Sequence, residues 1–198
     1  MILKRIVGVA GFTAYTIAFA YFLRFVTTPP PPKMPVVQVA MHRETVKKTA
    51  AFGVPVRLTI PTINVNAAVA SAGLTPDGSM DIKKSPTDVA WYKFGPSPGN
   101  PGSAVIAGHY GWENGRGSVF NYLHTLKPGS VVNVKDKTGG DISFVVRKIK
   151  LYNPEADASE VFVSSDGKSH LNLITCEGEW MREKQTYSHR LVVFSDKM

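Results

Sequence analysis

Short hydrophobic runs separated by turn residues dominate the chain from Pro55 onward. Residues 56–60 alternate between apolar and polar side chains, a pattern typical of a strand with one buried face. Turns rich in glycine, proline and aspartate separate such runs, as at 75–79 and 138–141. Seven or eight short strands with few helices favour a mainly β fold, either a closed β-barrel or a β-sandwich. The other predicted strands are 67–70, 103–107, 130–134, 142–151, 171–175 and 191–194.

Two segments of this region have helical rather than strand character. Residues 119–126 carry apolar side chains at helical spacing, which predicts a helical turn. Residues 158–163 are predicted as a second short helix. One or two short helices are therefore expected beside the strands.

A separate apolar segment lies near the N-terminus. Residues 6–23 form an uncharged run of 18 residues, preceded by Lys4 and Arg5. A helix of this length spans roughly 27 Å, about the thickness of the hydrocarbon core. Residues 1–26 are therefore predicted to be a signal-anchor: a single pass through the cell membrane, with the N-terminus cytoplasmic and the remainder extracellular. A cleaved signal ending at Ala20 and a buried core helix are the alternatives.

Residues 27–54 are predicted to be an extracytoplasmic linker. Four consecutive prolines at 29–32 favour extended polyproline II, which acts as a semi-rigid spacer. The remaining residues, 55–198, are predicted to be one compact domain, since this length suits a single core.

Charge and composition narrow the function classes. The net charge of the 198-residue chain is +8, but +6 of it belongs to residues 1–54. The predicted domain is almost neutral, so its composition does not require a nucleic-acid-binding face. A single cysteine excludes an intramolecular disulfide and a cysteine-based zinc cluster. No metal or organic cofactor is predicted.

The single cysteine, Cys176, is the first candidate for chemistry. It ends the apolar run 171–175 and precedes Glu177 and Gly178, so the strand is predicted to end there. A free cysteine is often a buried, inert side chain. A lone thiol outside the cytoplasm is open to oxidation, which favours a functional use instead.

A thiol nucleophile needs a base or a cationic neighbour and a group that stabilises the oxyanion. His170 shares the predicted strand with Cys176 but lies roughly 20 Å away along it. His109 ends a separate apolar strand, and His189 opens the last one, so both stay candidates. Arg190 begins that last strand, where its planar fork of donors suits a carbonyl or an oxyanion. The other histidines, in the linker and in an apolar turn, are His42 and His124.

Three segments together resemble the sortases, the membrane-anchored cysteine transpeptidases of bacterial surfaces. They are Ala107-Gly108-His109, Leu173-Ile174-Thr175-Cys176 and Arg190-Leu191-Val192-Val193. Asn172 departs from the family signature, in which a threonine is common. The loops resemble those of classes E and F, and the acidic cluster of some class A calcium sites is missing from the sequence.

This resemblance implies an eight-stranded β-barrel with defined roles for the site residues. Cys176 would be the nucleophile, His109 the general acid and base, and Arg190 the oxyanion or carbonyl stabiliser. The flanking Thr175 and Glu177 are predicted to bind substrate. The implied reaction cleaves a C-terminal sorting motif of the L-P-x-T-G kind on an exported protein. The acyl group then passes from a Cys176 thioester to a primary amine, either of a cell-wall precursor or of a pilin lysine.

Two alternatives remain open at this point. One is a membrane-tethered hydrolytic cysteine peptidase that pairs Cys176 with His189. The other is a β-domain that only binds a partner, with Cys176 buried and inert.

Overall fold

A computed structural model describes residues 52–82, 85–113 and 115–198; for Glu113 it describes the backbone alone. The predicted signal-anchor and nearly all of the predicted linker lie outside these residues. Within the described ranges, no helix is both long enough and apolar enough to cross a membrane.

Ten strands and three short helical segments make up the described chain. Two of the helical segments are 3-10 turns, Pro61–Ile63 and Leu123–Thr125, and the third is the α-helix α1, Ser159–Phe162. The strands are β1 (Pro55–Ile60), β2 (Val65–Ala72), β3 (Val89–Tyr92), β4 (Gly102–Gly108), β5 (Trp112–Glu113), β6 (Arg116–Gly117), β7 (Val131–Asp136), β8 (Asp141–Tyr152), β9 (Ser169–Met181) and β10 (Thr186–Lys197).

Eight of these strands close into a barrel, in the order β1-β2-β3-β4-β9-β10-β8-β7. The pairs β2/β3 and β4/β9 are parallel, and the other neighbours are antiparallel. Strands β5 and β6 form a separate small hairpin. The mainly β class and the closed eight-stranded barrel are therefore confirmed, and the sandwich is excluded.

Three local predictions need comment, and two of them were wrong. The four apolar residues of β3 are too few to show a period, so this strand was missed. The helical turn predicted at 119–126 is present as a short 3-10 turn, Leu123–Thr125, and the apolar residues Phe120, Leu123 and Leu126 are buried in the main core. The second error concerns the strand that carries Cys176.

Strand β9 does not end at Cys176 but continues to Met181. Strand β10 likewise begins at Thr186, before Arg190. The polar ends stay paired because the ladder contains a bulge between Tyr187 and His189, and because Gly178 takes a positive φ of 87° that suits glycine. A long β9–β10 hairpin thus extends past the cysteine.

The hydrophobic core has two parts, on the two faces of the barrel wall. The larger cluster receives side chains from all eight barrel strands and fills the interior, with Phe120, Phe144 and Leu173 among its fully buried members. The smaller cluster includes Val105, Val192 and α1, and it covers the outer face of β4, β9 and β10. Because side chains alternate along a strand, β9 contributes to both clusters.

Candidate active site

Cys176 and Arg190 face each other across the β9–β10 ladder. Their Cα atoms are register partners, and both residues are partly exposed. Burial raises the pKa of the Cys176 thiol, and the charge of Arg190 acts in the opposite direction. Cys176 is therefore not fully buried, and the Arg190 charge is near enough to act on its thiol.

His109 reaches the same place from a neighbouring strand. Strand β4 runs parallel to β9, with Ala107 paired to Ile174, so the residue after β4 lies at the level of the cysteine. The Thr175 hydroxyl donates to the Gly108 carbonyl oxygen at 2.8 Å, which ties the two strand segments together next to His109.

A single cavity of about 650 Å³ brings the three predicted catalytic residues together, since Cys176, His109 and Arg190 all line it. Much of its remaining wall is apolar and comes from the segment after β2, the end of β8 and α1. The uncharged lining suits an extended peptide with small or apolar side chains. The apolar lining residues include Leu74, Met80, Ile82, Tyr92, Val161, Phe162, Ile174 and Val192.

Hydrogen bonds within the hairpin hold the Arg190 guanidinium. Its Nη1 donates to the carbonyl oxygens of Tyr187 at 3.2 Å and His189 at 3.1 Å. Its Nη2 donates to the Thr186 hydroxyl at 2.8 Å. These contacts fix the orientation of the planar guanidinium group beside the cavity, where its N–H groups can donate hydrogen bonds to a substrate carbonyl oxygen.

The two predicted substrate-binding residues lie differently from Cys176. Alternation along β9 directs Thr175 and Glu177 toward the opposite face of the strand. Thr175 is buried and contributes to the cavity lining, but its hydroxyl is used by the Gly108 carbonyl. Glu177 is not part of that lining; one carboxylate oxygen lies 3.7 Å from Nδ1 of His124. Their roles in binding substrate stay predictions.

The remaining histidines of the described chain lie away from the cavity. His189 is exposed, with Nδ1 at 2.9 Å from the Ser188 hydroxyl, and it is not a lining residue. His170 is buried between the carboxylates of Asp166 and Asp196. The pairing of Cys176 with His189, on which the peptidase alternative depended, is therefore not supported.

Sequence reasoning missed two groups near the site. The cavity walls at 74–82 and 152–162 come from the loop after β2 and from the end of β8 with α1, and the sequence did not indicate that these segments meet at the site. Tyr110 and Tyr187 stack edge to face, with ring centroids 5.2 Å apart. The position of Tyr110 directly after His109 was the available clue. Among the described residues, no three His, Cys, Asp or Glu side chains are grouped as a metal site.

A thiol, an imidazole and a guanidinium around one peptide-sized cavity define a class of protein, the cysteine-dependent acyl-transfer enzymes. The comparisons identify the family within that class. The sortase domain model matches residues 58–198, which is most of the chain. The chain belongs to the sortase family and is a cysteine transpeptidase.

Solved structures with this fold are also sortases. Sortase C-1 from Actinomyces oris is 26% identical, with a TM-score of 0.57, and the match covers 72% of each chain. A lid mutant of sortase A from Corynebacterium diphtheriae is 21% identical, with a TM-score of 0.58, covering 76% of this chain and 73% of that one. A lid mutant of Streptococcus agalactiae sortase C1 is 23% identical, with a TM-score of 0.55, covering 72% and 68%.

The comparison with curated proteins gave no significant match. The solved relatives are named as sortases C and A, so the resemblance to classes E and F is not confirmed.

Proposed function

We propose that this transpeptidase cleaves a C-terminal sorting motif of exported proteins through a thioester on Cys176 and transfers the acyl group to a primary amine. One observation supports the assignment of roles: Cys176, His109 and Arg190 line the same cavity. The apolar remainder of that cavity fits the side chains of a short motif of the L-P-x-T-G kind.

The first half of the proposed reaction forms the thioester. The sulfur of Cys176 attacks the peptide carbonyl carbon while its proton passes to His109. The C–N bond then breaks, and His109 gives the proton to the leaving amine. Arg190 donates hydrogen bonds to the oxygen that becomes negative in between. A thiol whose pKa is raised by burial suits this order, because the proton leaves as the sulfur attacks.

The second half transfers the acyl group. The acceptor amine attacks the thioester carbonyl, a C–N bond forms and the C–S bond breaks. The proton lost by the amine returns, through His109, to the departing sulfur. The thioester retains the energy of the cleaved peptide bond, so the ligation needs no nucleotide.

We also propose that residues 6–23 anchor the enzyme in the cell membrane, with the catalytic domain outside. The support is the uncharged length of this segment and its basic N-terminal flank. Anchoring would keep the enzyme where exported substrates emerge and raise their effective concentration.

The test is mass spectrometry of the enzyme after incubation with a library of sorting-motif peptides. We expect an acyl adduct on Cys176 in the native enzyme, none in Cys176→Ala, and a ligated product when a primary amine is added. A native enzyme that captures no peptide, or that yields only the free acid at saturating amine, would refute the proposed transpeptidation.

A further inference from the structure

An exposed apolar area adjoins the peptide cavity at a distance from Cys176. It consists of Leu74, Phe94 and Phe162, grouped around the ring of Tyr92, and is here called the apolar rim. Leu74, Phe162 and Tyr92 also line the cavity, so the rim and the cavity form one surface. The exposed fractions are 48% for Leu74, 65% for Phe94 and 37% for Phe162. Large apolar side chains that are exposed as a group indicate an interaction site, whereas isolated ones need no explanation.

Contacts between rings hold the apolar rim together. The Tyr92 ring meets that of Phe94 edge to face at 5.8 Å between centroids, and it meets that of Phe162 in the same way at 5.6 Å. A Cβ on Gly73 would lie 3.7 Å from Cε2 of Phe94, so the chain that leads into Leu74 runs beside this ring. The rim is thus assembled from the segment after β2, the segment after β3 and the end of α1. Side chains that already contact one another lose less freedom when a ligand binds.

The strand register gives the distance between the apolar rim and the nucleophile. Trp91 of β3 pairs with Ile106 of β4, which pairs with Leu173 of β9. Because β3 runs antiparallel to β4, the next residue, Tyr92, is level with the position four residues before Cys176 on β9. Strands rise about 3.3 Å per residue, so this separation is roughly 13 Å along the barrel wall. An extended peptide of about four residues spans the same length.

This length determines which part of a substrate reaches the apolar rim. The thioester keeps the acyl part of the substrate on Cys176, and that part is N-terminal to the bond that is cut. It therefore runs from Cys176 through the cavity, with its N-terminal end directed toward Tyr92. A motif of the L-P-x-T-G kind fills the span of roughly 13 Å, so the residues immediately before the motif lie at Leu74, Phe94 and Phe162.

We propose that the apolar rim binds an apolar side chain of the substrate at one of the two positions immediately before the sorting motif. This inference rests on the proposed transpeptidase function and adds a second recognition element to it. The contact removes apolar surface of both the rim and the substrate from water, which is the source of its free energy. Exported proteins with the same motif are then distinguished by the residues that precede it.

The experiment compares two peptides as substrates of the full chain. Both contain the same motif, chosen as one that forms an acyl adduct on Cys176; one peptide has two leucines directly before the motif, and the other has two serines. The measured quantity is the ratio of kcat/KM for the leucine peptide to kcat/KM for the serine peptide. Because the ratio is taken within each enzyme variant, a general loss of activity cancels.

For the native enzyme we expect a ratio of about five, as for partial burial of an apolar side chain. Phe94→Ser should lower the ratio to less than about two, because it removes the most exposed ring of the rim. Phe94→Leu should keep the ratio above about three, since apolar surface remains. The control is Val56→Ser, which removes an apolar side chain that is 37% exposed on β1, a strand that pairs with neither β4 nor β9.

A ratio near one in the native enzyme would overturn the proposal, and so would a ratio that Phe94→Ser leaves unchanged or that Val56→Ser lowers equally. Two other occupants of the rim would also overturn it, each with its own result. If the predicted linker covers the rim, Phe94→Ser raises kcat/KM by the same factor for both peptides. If a second copy of the chain covers it, the ratio changes with enzyme concentration. Failure of the proposed function looks different, because no peptide of the library would then form a thioester on Cys176.

Discussion

At the scale of single residues, the pKa of Cys176 decides whether the free enzyme carries a thiol or a thiolate. Burial raises the pKa of this thiol, and the neighbouring Arg190 charge lowers it by a smaller amount. The thiol is therefore mostly protonated at neutral pH, so little thiolate is present. The alternation of β9 could be predicted from sequence, but the partner opposite Cys176 could not, because register depends on a distant strand.

The rate of alkylation of Cys176 by iodoacetamide should show this balance. We expect the pH at which the alkylation rate is half-maximal to be higher in the native enzyme than for the same thiol in denatured protein. In Arg190→Gln the midpoint should rise further, because the opposing positive charge is gone. The measurement is the second-order rate constant from pH 6 to 10. A midpoint in Arg190→Gln below that of the native enzyme would contradict the assigned effect of the guanidinium.

At the scale of elements, the close contact between β4 and the 118–126 segment positions His109. A Cβ on Gly108 would lie 2.6 Å from Cδ2 of Phe120 and 2.8 Å from Cγ1 of Val119. The amide of Phe120 also donates to the carbonyl oxygen of His109 at 3.1 Å. A glycine before the histidine is therefore needed for space.

Gly108→Ala should lower the free energy of unfolding by about 1–3 kcal/mol through overpacking. It should also reduce turnover, because relief of the clash shifts the backbone next to His109. Differential scanning calorimetry and a peptide-cleavage assay measure the two effects. Gly73→Ala is the control: its new Cβ would come no closer than 3.4 Å to the flexible Lys93 side chain and 3.7 Å to the Phe94 ring, which are ordinary contacts. Equal stability of the two variants would contradict the steric argument.

A second element-scale feature is the turn between β7 and β8, which Asp136 holds. Its carboxylate accepts from the amides of Gly53 at 2.9 Å, Thr138 at 2.9 Å and Gly140 at 2.8 Å. These bonds, with that of Gly53 the largest, lower the pKa of Asp136 to about 2. The stabilisation is therefore complete above the pKa of an unfolded aspartate, about 3.9, and is lost as the pH falls through about 2.

Asp136→Asn should remove this acid dependence. We expect the Tm of the native enzyme to fall more steeply than that of the variant between pH 5 and pH 2, and the native enzyme to be the more stable at pH 7. Thermal unfolding followed by circular dichroism across this range is the measurement. Parallel curves of Tm against pH for the two proteins would show that ionisation of the Asp136 carboxylate contributes nothing to stability.

At the scale of the whole molecule, the barrel separates two tasks. Its interior holds the larger hydrophobic cluster, while the outer face of β4, β9 and β10 carries the peptide cavity. The catalytic residues thus lie on or directly after barrel strands, and we expect the surrounding loops to set the specificity for the peptide. The last residues of the predicted linker, 52 and 53, contact the domain through hydrogen bonds to Asn100 and Asp136. The rest of the linker is expected to contribute distance rather than contacts.

Deletion of residues 36–50 from the full chain should therefore leave kcat/KM for a soluble sorting-motif peptide within about twofold of the native value, because a semi-rigid spacer acts through its reach. A peptide-cleavage assay in detergent tests this. Cys176→Ala in the same preparation sets the background. A large loss of activity would mean that this segment docks on the catalytic domain.

The sequence alone determined the mainly β class, the positions of most strands along the chain and the three motifs of the sortase resemblance, because alternation and turn residues are local signals. Tertiary structure decided which side chains meet: Arg190 opposite Cys176, His109 rather than His189 at the cavity, and Tyr110 against Tyr187. These contacts depend on which strands are neighbours and in which register. That choice is made by packing the whole barrel around one interior, and no segment carries it by itself.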